Sequence, residues 1–127
     1  QLNLPVYDDF AAPVRLFGRV ETRNGRLLEG VLVYDLDEAM DFELLDGQNG
    51  NISYRIPFKY LRKIEPKNYK YTWVKLSGEI ELVLGTMCDV TAANDGVLVF
   101  RAGGEVVYVR WRDVKRIELW TKVKQND

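Results

Sequence analysis

The sequence predicts an all-β protein made of two tandem, small, five-stranded barrel-like repeats that pack together. Three observations support this prediction. Turn signals rich in glycine and asparagine recur along the chain, the segments between them alternate apolar with polar residues, and one ten-residue pattern occurs twice. Alternation of this kind is typical of half-buried strands, and the recurrence indicates an internal duplication.

The duplication is clearest between IPFKYLRKIE, residues 56–65, and VRWRDVKRIE, residues 109–118. A second match pairs VRLFGRVE, residues 14–21, with VKLSGEIE, residues 74–81. The two matches occur in the same order, which is the signature of a repeat. We therefore predict a first repeat with an N-terminal extension over residues 1–66 and a second repeat over residues 67–127.

Within the first repeat, Asn24-Gly25 predicts a two-residue type I′ hairpin, because both residues tolerate positive φ. Further turns are predicted at Asp46–Gly50 and Ala102–Glu105, each before an alternating strand. The segment Tyr34–Leu45 is also compatible with a helix, but its several aspartates favour a strand, a loop and another strand.

The amino-acid composition excludes several kinds of catalytic and metal site. The chain has 127 residues, of which 46% are hydrophobic and 29% charged, as in ordinary globular proteins. Its single cysteine, Cys88, and its lack of histidine exclude an internal disulfide, a Cys/His zinc site and a His-dependent triad. Cys88 lies in an apolar stretch and is expected to be a small buried residue. No sequence pattern marks a catalytic or cofactor site, so we expect neither an enzyme nor a cofactor.

Charge and hydropathy limit the partners. The 18 basic residues are balanced by 19 acidic ones, so the formal net charge is -1 and no uniform basic field attracts nucleic acid. No apolar run approaches the roughly 20 residues that span a bilayer, so membrane insertion is not expected. The first residue is Gln1 and not Met, which is compatible with removal of an export signal or with trimming.

Residues 14–45, VRLFGRVETRNGRLLEGVLVYDLDEAMDFELL, are followed by a Gly-rich turn and by ISYRIPFKYLRKIEP, residues 52–66. This order resembles the Sm-like and SH3-like small barrels, in which a hairpin precedes a bent G-x-L strand, an Asp-containing loop and a closing strand pair. The whole chain also resembles an uncharacterised, often exported bacterial family. The matching residues are Gly18, Val20, Thr22, Gly25, Gly30, Asp35, Asp37, Glu38, Asp89, Val90 and Asn94. The resemblance implies a small-barrel fold and an extracytoplasmic location, but no particular activity.

An acidic loop follows the bent strand where Sm proteins place their base-reading loop. Its carboxylates repel phosphate, which argues against RNA binding in the Sm manner. The same carboxylates are weak candidates for a Ca²⁺ site, although the loop lacks the spacing and the glycine of an EF-hand. We expect them instead to bond nearby backbone N–H groups and hold a turn. The four candidates are Asp35, Asp37, Glu38 and Asp41.

The stretch Val109–Leu119 is basic and contains a tryptophan, and its match in the first repeat separates framework from surface positions. We predict that Val109, Trp111, Val114 and Ile117 are core residues. The outward residues are then the binding candidates, namely Tyr108, Arg110, Arg112, Lys115, Arg116 and Trp120. A second aromatic set, Tyr69, Tyr71 and Trp73, is expected either to pack between the repeats, which we favour, or to form an exposed stripe.

Together these patterns predict a non-enzymatic module that acts through protein contacts or self-assembly, because small barrels expose strand edges that can pair with other chains. A homo-oligomer is one form that this assembly would take. The alternative is a nucleic-acid or polyanion-binding module that uses the basic surface of the second repeat.

Overall fold

The computed structural model describes residues 14–120. Within this range the regular elements are β-strands and single 3₁₀ turns, so the predicted all-β class is confirmed. The strands are β1 (Phe17–Thr22), β2 (Leu27–Tyr34), β3 (Leu44–Asn49), β4 (Ile52–Pro57), β5 (Leu61–Pro66), β6 (Tyr71–Leu76), β7 (Ile80–Gly85), β8 (Val97–Phe100), β9 (Val106–Val109) and β10 (Val114–Leu119). The 3₁₀ turns are η1 (Phe58–Tyr60), η2 (Cys88–Val90) and η3 (Trp111–Asp113).

The ten strands form one antiparallel sheet in the order β4-β3-β7-β6-β5-β10-β1-β2-β8-β9. This order is symmetric about its centre. Each strand in one half has a counterpart at the mirror position in the other half, and the two counterparts are five strands apart along the chain, as β4 and β9 are. In the described part of the chain the sheet is open, with β4 and β9 as its edges. Two tandem barrels are therefore not confirmed, and the observed architecture is a single open sheet.

Strand pairing interleaves the two predicted repeats. Strand β2 pairs with β8, from Val31 opposite Phe100 to Tyr34 opposite Val97, and β3 meets β7 where Gln48 lies opposite Gly85. Each half of the sheet thus contains strands from both sides of residue 66. That residues 1–66 and 67–127 are separate domains stays a prediction.

The predicted framework is confirmed. Phe58 and Trp111 each begin a 3₁₀ turn directly after an edge strand, and both rings contact Tyr34, with centroid distances of 5.2 and 5.7 Å. All eight matched framework residues are buried in one continuous core, namely Ile56, Phe58, Leu61, Ile64, Val109, Trp111, Val114 and Ile117. The ten-residue match therefore identifies residues with the same structural role.

The second sequence match, between residues 14–21 and 74–81, is wrong. Val20 lies opposite Ile117 and Val74 lies opposite Ile64, so Val20 corresponds to Val74 and not to Ile80. The sequence match was displaced by six residues, since 80 − 74 = 6. An alternating strand pattern has a period of two, so it matches itself at any even displacement.

The β1–β2 hairpin is confirmed, but its turn is not the predicted two-residue type I′ turn. Thr22 N donates to Arg26 O at 2.9 Å, which encloses a three-residue loop, and within that loop only Gly25 has a positive φ. A type I′ turn needs positive φ at both central residues. The Thr22 hydroxyl donates to Asn24 Oδ1 and accepts from Arg26 N, and these bonds favour the wider loop.

Two other predictions about turns have mixed outcomes. The segment Tyr34–Leu45 is a strand end, turns and the start of β3, as predicted, and Ala102–Glu105 is a turn. The predicted turn at Asp46–Gly50 is mostly part of β3, which continues to Asn49. The chain reverses at Gly50, whose φ is 61°, so the glycine was the informative residue there.

Two glycines allow the strands to approach closely. A Cβ at Gly18 would lie 1.9 Å from Glu118 O, and a Cβ at Gly30 would lie 2.1 Å from Phe100 O. Any other residue would force the strands apart. The sheet therefore coils tightly around β1 and β2, and this coiling places strand β9 beside the tip of the β1–β2 hairpin.

Two side-chain predictions are wrong. Tyr69 and Tyr71 are 69% and 49% exposed, which fits the exposed alternative and not the favoured packing between the repeats. Trp73, the third member of that set, is half-buried, and Lys67 Nζ lies 5.7 Å from its ring centroid. On β6 it is Thr72 and Val74 that face the core, which turns Tyr71 to the outer face. Cys88 is exposed as well, because η2 buries its next residues, Asp89 and Val90, instead.

Candidate functional site

The predicted binding residues do not form one basic strip. Tyr108 and Arg110 lie at edge strand β9, and Arg112 lies in η3. Lys115 and Arg116 lie on β10, which is a central strand, and Trp120 follows it. The candidates therefore divide between an edge and the middle of the sheet, and the two groups have different electrostatic surroundings.

The cations on β10 are neutralised by neighbouring strands. Arg116 donates to Glu65 at 2.6 Å and to Glu21 at 2.9 Å, and Lys115 lies 3.6 Å from Glu21. The hydrogen bond to Glu65 raises the pKa of Arg116. Trp120 packs edge to face against Phe17, with a centroid distance of 5.1 Å. This part of the predicted surface is therefore a balanced ion-pair network.

Strand β9 has an open edge. Its other side is paired with β8, and Arg101 N donates to Glu105 O at 2.8 Å to close the connecting turn. Because bonded and non-bonded pairs alternate along an antiparallel ladder, the main-chain groups of Val106 and Tyr108 and the N–H of Arg110 point away from β8. Val106 and Tyr108 are each 51% exposed. Among residues 14–120 this edge therefore presents unpaired backbone groups next to exposed apolar side chains.

The other edge, β4, is blunted. In the match of residues 56–65 with residues 109–118, Pro57 is the counterpart of Arg110, and the two residues have nearly the same φ, −59° and −64°. Arg55 is the counterpart of Tyr108. Proline lacks the N–H that an added strand needs, and a charged side chain also discourages strand addition. Only the second of the two equivalent edges is thus suited to pairing.

A cleft with a volume of about 510 Å³ lies along the open edge. One wall is β9 with Arg110 and Asp113, and the opposite wall is the β1–β2 hairpin. Three arginines line the cleft against one carboxylate, namely Arg23, Arg26 and Arg110 against Asp113. Leu28, Val107 and Val109 supply its apolar part. Its volume is within the range of roughly 300–1,000 Å³ that is usual for ligand sites.

The two walls of the cleft are tied together. Arg23 N donates to Asp113 O at 2.9 Å, and Arg23 Nε donates to Arg112 O at 3.1 Å. On the β9 side the Tyr108 hydroxyl donates to Asp95 O at 2.7 Å, which fixes the ring. Arg26 has no side-chain hydrogen bond or ion pair among residues 14–120. The cleft is therefore preformed. Arg23 is held in place by its hydrogen bond to Arg112 O, and Arg26 can contact a ligand.

The acidic loop brings together three of its four predicted residues. One carboxylate oxygen from each of Asp35, Asp37 and Glu38 lies within 4.8 Å of the others. Asp41 lies apart from this group, and its carboxylate accepts a hydrogen bond from Val14 N at 3.2 Å. Asp35 accepts from Asp95 N at 2.5 Å, so the aspartates hold backbone N–H groups as expected. A Ca²⁺ site in this loop stays a weak prediction.

Burial affects the protonation of this acidic group. Partial burial and neighbouring carboxylates raise the pKa of Asp35 to about 7 and that of Glu38 to about 9. Burial also raises the pKa of Asp89, which sequence reasoning did not place here and which lies in η2. Glu38 Oε1 is buried and has no hydrogen-bond partner in the described range, residues 14–120. Glu38 is therefore mostly protonated at neutral pH, and Asp35 titrates close to it.

Asp89 and Asn94, which match the family pattern, are buried and bound to the backbone. Asp89 Oδ2 accepts from Asp46 N at 2.9 Å. Asn94 donates to Asp89 O at 2.9 Å and accepts from Gly96 N at 2.7 Å. These bonds occupy the polar atoms that would otherwise contact a base, and they secure the chain between η2 and β8.

Comparison of the chain with protein-family models, with curated proteins and with solved structures finds no match. The resemblance to small barrels therefore stays a prediction. In the part of the chain from residue 14 to residue 120, there is no helix with the length and apolarity that crossing a membrane requires.

Proposed function

We propose that the protein is a non-enzymatic interaction module that binds an extended segment of a partner protein as an added strand along β9. The observation that carries this proposal is the contrast between the two edges. Proline and arginine blunt β4, whereas β9 presents Val106, Tyr108 and the N–H of Arg110. Strand addition at such an edge is a common mode of peptide recognition, in which main-chain hydrogen bonds supply affinity.

We further propose that each half of the sheet is a Sm-like or SH3-like small barrel left open beside β9 or β4. The symmetric strand order supports this, since each half has five strands in equivalent positions. The two close-approach glycines, Gly18 and Gly30, support it too, because strong coiling is what a small barrel needs. In this proposal the cleft is the gap that an added strand fills.

The alternative function, polyanion binding by the second repeat, has less support. Arg116 and Lys115 are paired with carboxylates from other strands, so releasing them to a phosphate would break existing ion pairs. The cations in the cleft are not subject to this objection. Any anionic ligand is therefore expected at the β9 cleft and not on β10.

The proposed strand addition can be tested with a neutral probe, a fluorescein-labelled eight-residue peptide of alternating threonine and valine. Binding is followed by fluorescence anisotropy with the unmodified chain, R110P and R110A. Proline fits the φ of −64° at this position and removes the outward N–H, whereas alanine keeps it. Because one strand hydrogen bond contributes about 1 kcal/mol, R110P should bind about fivefold more weakly than R110A.

Absence of binding by the unmodified chain would overturn the proposal. Equal affinities of R110P and R110A would overturn it as well, because strand pairing must use the N–H. Light scattering in parallel identifies the occupant. A dimer that R110P dissociates and R110A does not would mean that the strand added at β9 comes from a second copy and not from a different protein.

A further inference from the structure

The cleft beside β9 has a charge pattern that restricts which strands fit it. The chain as a whole carries a net charge of -1, yet the cleft has Arg23, Arg26 and Arg110 against Asp113. The excess of positive charge is local. It arises because the coiled sheet brings the hairpin of the first repeat beside the edge of the second.

The available hydrogen-bond donors point to carboxylates. Arg23 uses its Nε for Arg112 O, which orients the guanidinium and leaves its other nitrogens without a partner among residues 14–120. Arg26 is exposed and has no side-chain partner in the same range. Arg110 is bonded to Asp113 at 3.0 Å through its Nε only. Guanidinium groups placed in this way bind carboxylates well, since their paired N–H groups match the two oxygens.

The apolar lining adds a second requirement. Val109 and Leu28 are buried and Val107 is partly buried, so a strand lying beside β9 has apolar surface on its inner side. Successive side chains of a strand point to opposite faces. A strand that contacts both the apolar residues and the arginines of the cleft therefore alternates apolar with acidic residues. The alternation extends over about four residues, a length of about 14 Å.

We infer that the partner of this protein presents an extended acidic segment, in which carboxylate residues alternate with apolar ones, and that Arg23, Arg26 and Arg110 recognise it in the β9 cleft. This inference rests on the proposed function, because it names the kind of strand that β9 accepts. It differs from the polyanion alternative in requiring backbone pairing together with charge.

The test compares three labelled eight-residue peptides in which valine alternates with glutamate, threonine or lysine, and adds an oligouridylate of matched charge. The glutamate peptide should bind about tenfold more tightly than the threonine peptide at low salt, given that three exposed ion pairs each contribute a few-fold. The advantage should shrink as salt rises, because the screening length falls to about 8 Å at physiological ionic strength.

Two variants locate the charge recognition. In R23Q/R26Q the ratio of the glutamate-peptide affinity to the threonine-peptide affinity should fall from about ten towards one. R26Q alone should give part of the same loss. The Arg26 side chain has no partner within residues 14–120, so this variant keeps the test valid if the double variant misfolds. R55Q is the matched control, because Arg55 is an exposed arginine on the other edge. R55Q should change the affinity of neither the glutamate peptide nor the threonine peptide.

The outcomes separate the two proposals. Equal binding of the glutamate and threonine peptides would overturn this inference and leave strand addition intact. No binding of any peptide would overturn both. Tighter binding of the oligouridylate than of the glutamate peptide, with the same dependence on Arg23 and Arg26, would overturn the inference in favour of a nucleic-acid partner.

Discussion

The interleaved strand pairing predicts what happens when the chain is divided at residue 66. Residues 1–66 and 67–127 are produced separately. Of the strand pairs formed by residues 14–120, each segment then keeps two local hairpins, β1–β2 and β3–β4 in one and β6–β7 and β8–β9 in the other. Isolated hairpins are marginally stable in water. Neither segment should therefore unfold cooperatively by itself, and both should lack a fixed near-ultraviolet dichroism signal.

Mixing the segments should restore the native sheet, because five strand pairings of the described sheet lie between them, namely β1–β10, β2–β8, β3–β7, β5–β6 and β5–β10. In the intact chain only residues 67–70 join β5 to β6, and so short a connection gives an effective concentration of roughly 1 mM. Segments mixed at about 10 µM are about 100-fold below this effective concentration. The assembled sheet should therefore be less stable than the intact chain by roughly 2.7 kcal/mol.

Urea unfolding monitored by tryptophan fluorescence measures this difference directly. The mixture should regain the spectrum of the intact chain and be less stable by roughly 3 kcal/mol, with a midpoint that rises with concentration. Cooperative unfolding of either segment alone would refute the reasoning. It would mean that β2 and β3 can pair within one repeat and that the two repeats are independent domains.

Further predictions concern packing, pH and the core. Gly18→Ala puts a Cβ 1.9 Å from Glu118 O. It should therefore lower the free energy of unfolding by about 3 kcal/mol and the melting temperature by more than about 10 °C. A melting temperature within about 2 to 3 °C of the parent would contradict the close approach of the two strands. Because the raised pKa values of Asp35 and Glu38 mean that the folded state binds more protons than the unfolded state, stability should fall as pH rises from about 4 through 7 and on to about 9. Asp35→Asn with Glu38→Gln should flatten that slope, as measured by urea midpoints from pH 5 to 9, and an unchanged slope would exclude these groups as its source. Phe58→Ala should cost about 3–5 kcal/mol, since Phe58 is 2% exposed at the centre of the core, and a loss below about 1 kcal/mol would mean that the core relaxes around it.

Local patterns predicted the framework well. The match of residues 56–65 with residues 109–118 located eight core residues, because it includes aromatic and basic residues that break the simple alternation. The match of residues 14–21 with residues 74–81 relied on alternation and one glycine, and it was six residues out of place. A period of two cannot fix a register by itself.

Strand partners could not be predicted, for a related reason. Strands β3 and β8 occupy equivalent places in the two repeats, so their sequence patterns make either one an acceptable partner for β2. The choice of β8 depends on packing between the repeats and not on any property of one segment. Sequence reasoning that places each strand in its own repeat will therefore miss the interleaving.

The candidate site was predicted in part. Tyr108 and Arg110 were identified from the sequence as outward residues. Arg23 and Arg26 were missed, because they meet β9 only through the coiling of β1 and β2. Their positions on either side of the Asn-Gly turn were the available signal, since arginines beside a tight turn are held at a fixed distance from the sheet.

Hydrogen exchange of individual amides, measured by NMR with and without the glutamate–valine peptide at saturation, tests the use of the β9 edge most directly. Strand addition predicts new protection at Val106, Tyr108 and Arg110, and none at Ser53 and Arg55 on the blunted edge. Protection confined to other strands, or binding without any change at Val106 and Tyr108, would contradict strand addition at β9.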